Sequence, residues 1–269
     1  MATTLGMPTL TIAIKKAADT VASRLQDGVV AMIVRDATET AGLYVVGDKT
    51  DIPSKLAAGT AAQVERALIG GINRPQKVLL SVIGTDADLV QVGAAALASS
   101  DFDYLAVPDD ADEDDLEAIV TWLEGIRAKY SVGKAVLPDH AADNMAVINF
   151  SASGIQAGGS TYTGAQYCSR IAGLLAGTPL TNSATSAVLE EVTGVTAVAD
   201  PDAAVAAGKL ILVHDGREGK LGRAVDSVRK RFGGGSVRRA LLMTDPQLAH
   251  LDPNIQSSLQ NFVQAASDQ

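Results

Sequence analysis

An α/β protein is predicted: a central, mostly parallel sheet flanked by helices, with a strand-forming arm at the amino terminus and a smaller α+β part at the carboxyl terminus. Three observations carry that expectation. Strand-like and helix-like segments alternate from Lys77 to Leu137, the pattern of parallel strands joined by helical crossovers. A continuous apolar run, Gly28–Val34 (GVVAMIV), has the character of a strand buried on both faces. A short alternating segment, Leu10–Ile14, stands alone far ahead of the next apolar run.

In chain order, Leu10, Ile12 and Ile14 alternate with Thr9, Thr11 and Ala13, the period of a strand with one apolar face. Such a strand needs a partner, which another molecule can supply. A weakly patterned linker, Ala17–Asp27, leads to the buried run, and Gly42–Val46 reads as another strand. Thr60 and Gln63 have capping-box spacing, so a helix is expected from Ala61 to Ile69, ended by Gly70 and Gly71. Strand Lys77–Ile83, an alanine-rich helix Ala87–Ala98 and strand Asp103–Val107 follow. Leu116, Ile119, Val120, Leu123 and Ile126 recur at helical spacing before strand Lys134–Leu137. Met145–Phe150 is a further strand. It runs into a Gly-, Ser- and Thr-rich stretch, Ser151–Gly164, and a helix, Ala165–Ala176. Lys209–His214 is a short strong strand, the chain from Ser236 onward is expected to be helical, and Gly233-Gly234-Gly235 is the clearest joint. The expected parts are therefore an arm and linker (1–27), an α/β body (28–200) with a further division near 140–150, and a carboxyl-terminal part (201–269).

The chain has 269 residues, 47% of them hydrophobic and 20% charged, a single cysteine and a formal charge of −9. That composition excludes a disordered chain and a disulfide scaffold. No apolar run reaches the roughly 20 residues of a membrane span, and Lys15 and Lys16 follow the first apolar residues rather than precede them, so neither membrane insertion nor export is expected. The lone Cys168 suits synthesis in a reducing cytoplasm, and the acidic balance argues against nucleic-acid binding.

No motif completes a catalytic site. Gly216–Gly222 has glycines and a lysine after a strand but lacks the spacing and the following Ser or Thr of a phosphate loop. His140, His214 and His250 have no metal-ligand spacing, and Cys168 lies in an apolar helix where a packed thiol is expected. The acidic run Asp109–Asp115 lacks the glycine and twelfth-position glutamate of a calcium loop, and reads instead as a set of carboxylates at a helix start near Asp114. No catalytic residue, metal or cofactor is therefore assigned. Lys209–Arg239 carries nine Lys or Arg against three Asp or Glu inside an acidic chain, which suits pairing with copies of itself or with an acidic partner.

Two segments, Ser169–Val192 and Ala204–Val228, resemble the tail sheath proteins of contractile-tailed phages and related R-type bacteriocin-like particles. In that family a helix with the pattern A-G-x-x-A-G-x-P, here Ala172–Pro179, leads to a loop-rich segment. A GK-L-I-L strand, here Gly208–Val213, follows, then a charged turn, Asp215–Gly219, and Lys220–Val228. The arm Leu10–Ile14 followed by GVVAMIVRD at Gly28–Asp36 is also similar. The resemblance implies a virion structural protein that polymerises as stacked hexameric rings around a tail tube in the bacterial cytoplasm, and contracts to drive the tube through a cell envelope. Its partners would be other copies of itself, the tube protein, and baseplate and terminator proteins, with no nucleic acid and no direct membrane insertion. Thr9, Leu10, Thr11, Ile12 and Ile14 would form an intersubunit arm, Leu210, Ile211, Leu212 and Val213 an intersubunit strand, and Arg229, Lys230, Arg231, Arg238 and Arg239 tube or neighbour contacts. Such proteins continue into a longer carboxyl-terminal region, so 201–269 is expected to be either a truncated or a shortened version of it. The alternatives are a doubly wound enzyme with a ligand at the strand carboxyl ends, using Gly84–Asp86 and Pro108–Asp112, and a small binding module.

Overall fold

A computed structural model of the chain describes residues 28–128, 132–179, 181–185, 187–214 and 219–222. The arm residues Thr9, Leu10, Thr11, Ile12 and Ile14, the glycine joint at 233–235, the helix expected after Ser236, and Arg229, Lys230, Arg231, Arg238 and Arg239 lie outside the described residues. The chain divides into two compact units. The first comprises residues up to 148 together with 164–184, the second residues 149–163 and those from 185 onward.

The sheet of the first unit has the order β2-β3-β1-β4-β5, formed by β1 (Val29–Arg35), β2 (Gly42–Val46), β3 (Lys77–Ile83), β4 (Tyr104–Ala106) and β5 (Lys134–Pro138). β3, β1, β4 and β5 are mutually parallel and β2 is antiparallel to β3. The expected alternation is present, but β1 lies between β3 and β4, so those two consecutive strands are not neighbours. β1 is buried on both faces, as its continuous apolar run requires. Val29, Ala31 and Ile33 join a buried cluster with Leu116, Ile119 and Leu123 of α3 (Glu113–Arg127), while the alternate residues Val30, Met32 and Val34 are buried on the opposite face.

Helices α1 (Ala58–Ile69) and α4 (Gly164–Ala176) pack against each other beside the sheet. On the face shared with α3, a π turn, Leu89–Ala94, runs into α2 (Ala95–Leu97), so the expected alanine-rich helix begins as a wide turn. Its start is capped by Asp88, which accepts from the Val90 and Gln91 amides. Phe102 and Trp122 stack with ring centroids 6.2 Å apart, closing the cluster under α3. Thr60 is not a cap: α1 begins earlier, behind Ala57, with no side-chain cap bond, and Thr60 falls inside it.

The second unit holds β6 (Val147–Ser151, along which the chain enters it), β11 (Leu210–His214), β12 (Gly219–Gly222) and β9 (Val188–Leu189), paired in that order. A separate three-stranded sheet has the order β10 (Val192–Gly194), β7 (Ile155–Ala157), β8 (Ser160–Tyr162). The Gly-, Ser- and Thr-rich stretch, Ser151–Gly164, contains a hairpin, turned by Gly158 and Gly159, both at positive φ (57° and 79°). Glycine tolerates that conformation at both central positions of a tight two-residue turn. Helix α5 (Pro201–Ala206) is capped by Asp200 and starts on proline.

Candidate functional site

The A-G-x-x-A-G-x-P segment, read at first only as a helix and its end, is a junction. A Cβ on Gly173 would overlap the backbone carbonyl of Ala67, so α4 crosses α1 with backbone against backbone. Just beyond, a Cβ on Gly177 would overlap the Asn73 carbonyl, and one on Gly71 would come within 2.7 Å of the Leu174 oxygen. The small residues are what let these strands of backbone meet and pair. Asn73 donates its amide to Gly177 at 2.8 Å, and Gly71 donates to Asn73 at 2.9 Å. Arg170, only 3% exposed, donates from Nη1 to the Gly70 carbonyl at 2.6 Å, and Arg66 donates to the Gln166 carbonyl at 3.1 Å. The Arg170 guanidinium suits its place because it satisfies the Gly70 carbonyl left open at the end of α1.

The same junction holds Gly28, the first described residue. Its amide donates to the Ala176 carbonyl at 2.8 Å, and its own carbonyl accepts from Gln76 at 3.0 Å. An ideal Cβ there would lie 2.8 Å from the Ala176 oxygen. The chain therefore enters β1 at a point clamped from two sides, by the end of α4 and the residue before β3. Sequence reading registered the glycines of 70–71 as helix punctuation and Gly173 and Gly177 as a pattern, and missed that Gly28 meets them.

At the opposite end of the sheet, the carboxyl ends of β1 and β4 are bridged rather than open. Arg35, at the end of β1, donates to Asp110 at 3.0 Å and to Asp115 at 2.7 Å. Burial opposes the charge, but the two carboxylates hold its guanidinium above its ordinary value. Asp112 caps α3 by accepting from the Asp115 amide at 2.9 Å, and Glu113 lies 2.8 Å from Nδ1 of the buried His140. The acidic run is thus divided among a helix cap, an ion-pair bridge and a histidine contact, the helix-start role expected of it. Asp36, 4% exposed, accepts from the amides of Thr38, Glu39 and Ala57 and from the Thr38 hydroxyl. Burial alone would raise its carboxyl, and these four donors hold it well below the usual range.

Among the described residues no three His, Cys, Asp or Glu side chains are grouped to hold a metal. A cleft of about 270 Å³ lies between Gly47–Lys49 and Leu68–Arg74, beside the amino end of β3 and away from the loops an α/β enzyme would use. Cys168 is fully buried, and burial, with Asp139 nearby, pushes its thiol up. Leu210, Ile211, Leu212 and Val213 form β11, which has β6 on one side and β12 on the other.

No family model matches the chain. A tail sheath protein of the Clostridium phage phiCD119 is 33% identical over 232 residues, 83% of this chain and 64% of that protein. The chain is thus similar in sequence to a phage tail sheath protein. It spans just under two-thirds of that curated relative's length. The solved structures agree in fold. A sheath tail protein from Listeria innocua superposes with a TM-score of 0.65 at 13% identity, over 77% of this chain and 71% of its own. One from Desulfitobacterium hafniense gives 0.62 at 15% identity, over 99% and 89%. The contracted helical sheath of the anti-feeding prophage gives 0.55 at 13%, over 100% and 85%. The proteins so matched are structural by name, and the enzyme alternative finds no support among them.

Proposed function

We propose that this chain is a tail sheath subunit. In this reading it polymerises as stacked hexameric rings around a tail tube and contracts to drive the tube through a target envelope. The sequence likeness to a protein named for that role carries the reading, and the incomplete catalytic motifs agree with it. Partners would be further copies of the chain, the tube protein, and baseplate and terminator proteins, with assembly in the host cytoplasm and residence in the particle tail. Thr9–Ile14 would donate a strand to a neighbour, since main-chain hydrogen bonds set register without a large side-chain interface. Val213, which is exposed on β11, would bring the Leu210–Val213 strand to a neighbouring subunit through its side chain. Arg229, Lys230, Arg231, Arg238 and Arg239 would meet the tube or an adjacent copy. Contraction would draw on packing energy stored at assembly, with the α/β body moving as a unit while 17–27 and the joint at 233–235 absorb the change.

Negative-stain imaging of the full chain, alone and with its tube protein, tests the reading. Long tubes are expected, and deletion of residues 1–16 should abolish them while leaving the circular dichroism spectrum of the body intact. A small closed oligomer under both conditions would overturn it.

A further inference from the structure

The cleft at the amino end of β3 stands open beside the place where the described chain begins. Leu68, Ile69, Arg74 and the Gly47–Lys49 turn line it. Its apolar side is unfinished, for Ile69 is 45% exposed and Ile72, in the loop that follows, 62%. Lys49 and Arg74 on its rim keep more than half of their side-chain surface in solvent, the first 2.9 Å from Glu65 and the second 3.9 Å from Asp48. The loop that carries Ile72 and Arg74 is also the loop that clamps Gly28, through the Gln76 amide at 3.0 Å. β2 ends where β1 and β3 begin, with Val46 opposite Val78 and Val29 opposite Lys77. Only β3 therefore separates Gly28 from the Gly47 side of the cleft, about 10 Å at two strand spacings.

We infer that residues 18–25 of the same chain seat in this cleft as a short latch. Ala18, Val21, Ala22 and Leu25 are spaced i, i+3, i+4 and i+7, one apolar stripe of a two-turn helix, with Asp19 and Arg24 on opposite flanks. Seated, Val21 and Leu25 cover the apolar side at Ile69 and Ile72, and the flanking charges meet a rim that carries Lys49 and Arg74 beside Asp48 and Glu65. Three residue steps join Leu25 to Gly28, an extended reach of about 10 Å, enough to cross β3 and too short for a remote seat. Eight residues are too few to hold a helix alone in water, so the cleft orders the segment and release from it costs little. As a helix the eight residues span about 12 Å and extended about 27 Å, so release lengthens the tether to Leu10–Ile14 by about 15 Å. That gain is slack for subunits that must separate. The use of the latch, though not the seat, rests on the sheath reading and on the part given there to residues 17–27.

Disulfide trapping on the full chain tests the seat, with Cys168 buried and out of competition. Under mild oxidation of dilute protein, L25C/I69C and V21C/I72C chains should each form a reducible cross-link within one chain. S23C/I69C places its cysteine on the far side of the stripe and controls for a tether that merely wanders; L25C/I69C is expected to close about tenfold faster, the bias a modest docking free energy gives. Equal rates for the two, or no cross-link at either stripe position, would overturn the seat. A cross-link between mixed L25C and I69C single variants, but not within the double variant, would overturn the chain's own segment as the occupant. Tubes scored by negative stain test the use. Oxidised L25C/I69C should give none, and reduction should restore them. Cross-linked chains that form tubes as well as reduced ones would overturn the release and leave the sheath reading standing. A cross-link with no tubes before or after reduction would uphold the seat and count against the sheath reading, and tubes without any cross-link would do the reverse.

Discussion

Two helical glycines in the same unit show opposite uses of one residue. Gly173 lies in α4 where a Cβ would strike the Ala67 backbone, whereas Gly125 in α3 has nothing within 4 Å of the place its Cβ would occupy. At the first, the missing side chain is the contact, since it lets two helices touch through their main chains and brings Gly71, Gly177 and Gly28 within hydrogen-bonding distance of one junction. At the second it is only a cost, because glycine surrenders more backbone freedom on folding than alanine does. The contrast separates the part of the molecule built to hold, the α1–α4 crossing, from a helix whose outer face is solvated.

The largest effect that bears on this contrast is expected from Gly173→Ala. The obstacle is a backbone oxygen, which cannot rotate away, so a loss of about 2 to 3 kcal/mol is expected in urea unfolding. A loss below about 0.5 kcal/mol would mean that the crossing is looser than described.

Asp36→Asn sharpens the contrast at the other end of the sheet by removing the charge that four donors share, for a loss of about 1.5 to 3 kcal/mol near neutral pH. Its pH dependence has a definite sign. The folded carboxyl lies below the ordinary aspartate value of about 3.9, so its stabilisation is complete above that value and is lost as the pH falls through it toward the folded one. The stability difference between the natural chain and Asp36→Asn should therefore shrink below about pH 4, and a difference that is the same at pH 3 and pH 7 would remove the charge from the explanation.

Asp112→Ala removes the α3 cap and should cost about 1 kcal/mol by the same unfolding measurement. The smallest effect has the opposite sign: Gly125→Ala should stabilise by about 0.5 to 1 kcal/mol, and destabilisation there would show that α3 is covered where it now stands open.

Much of the first unit was legible in the sequence because its signals are local. Lys77–Ile83 is a strand within the residues read for it, since a bounded apolar run with β-branched residues has few other uses. Asp109–Asp115 ends as a helix cap and its companions, since carboxylates at a helix start answer a field set by the next few residues. Cys168 proved to be a packed thiol for the same kind of reason.

The arrangement of these pieces was decided by tertiary structure. No property of Gly28–Val34 alone says that it separates β3 from β4, because strand order is settled by which faces the helices must cover. Thr60 had the spacing of a cap and was overruled because α1 starts earlier, behind Ala57, through the exposed Ala58 and Gly59. Gly28, Gly71 and Gly177 are distant in sequence, and by themselves they read as a strand start, a helix end and part of a pattern. Only when α4 lies across α1 do their missing side chains become a clamp, for close approach belongs to pairs of segments and periodicity to single ones.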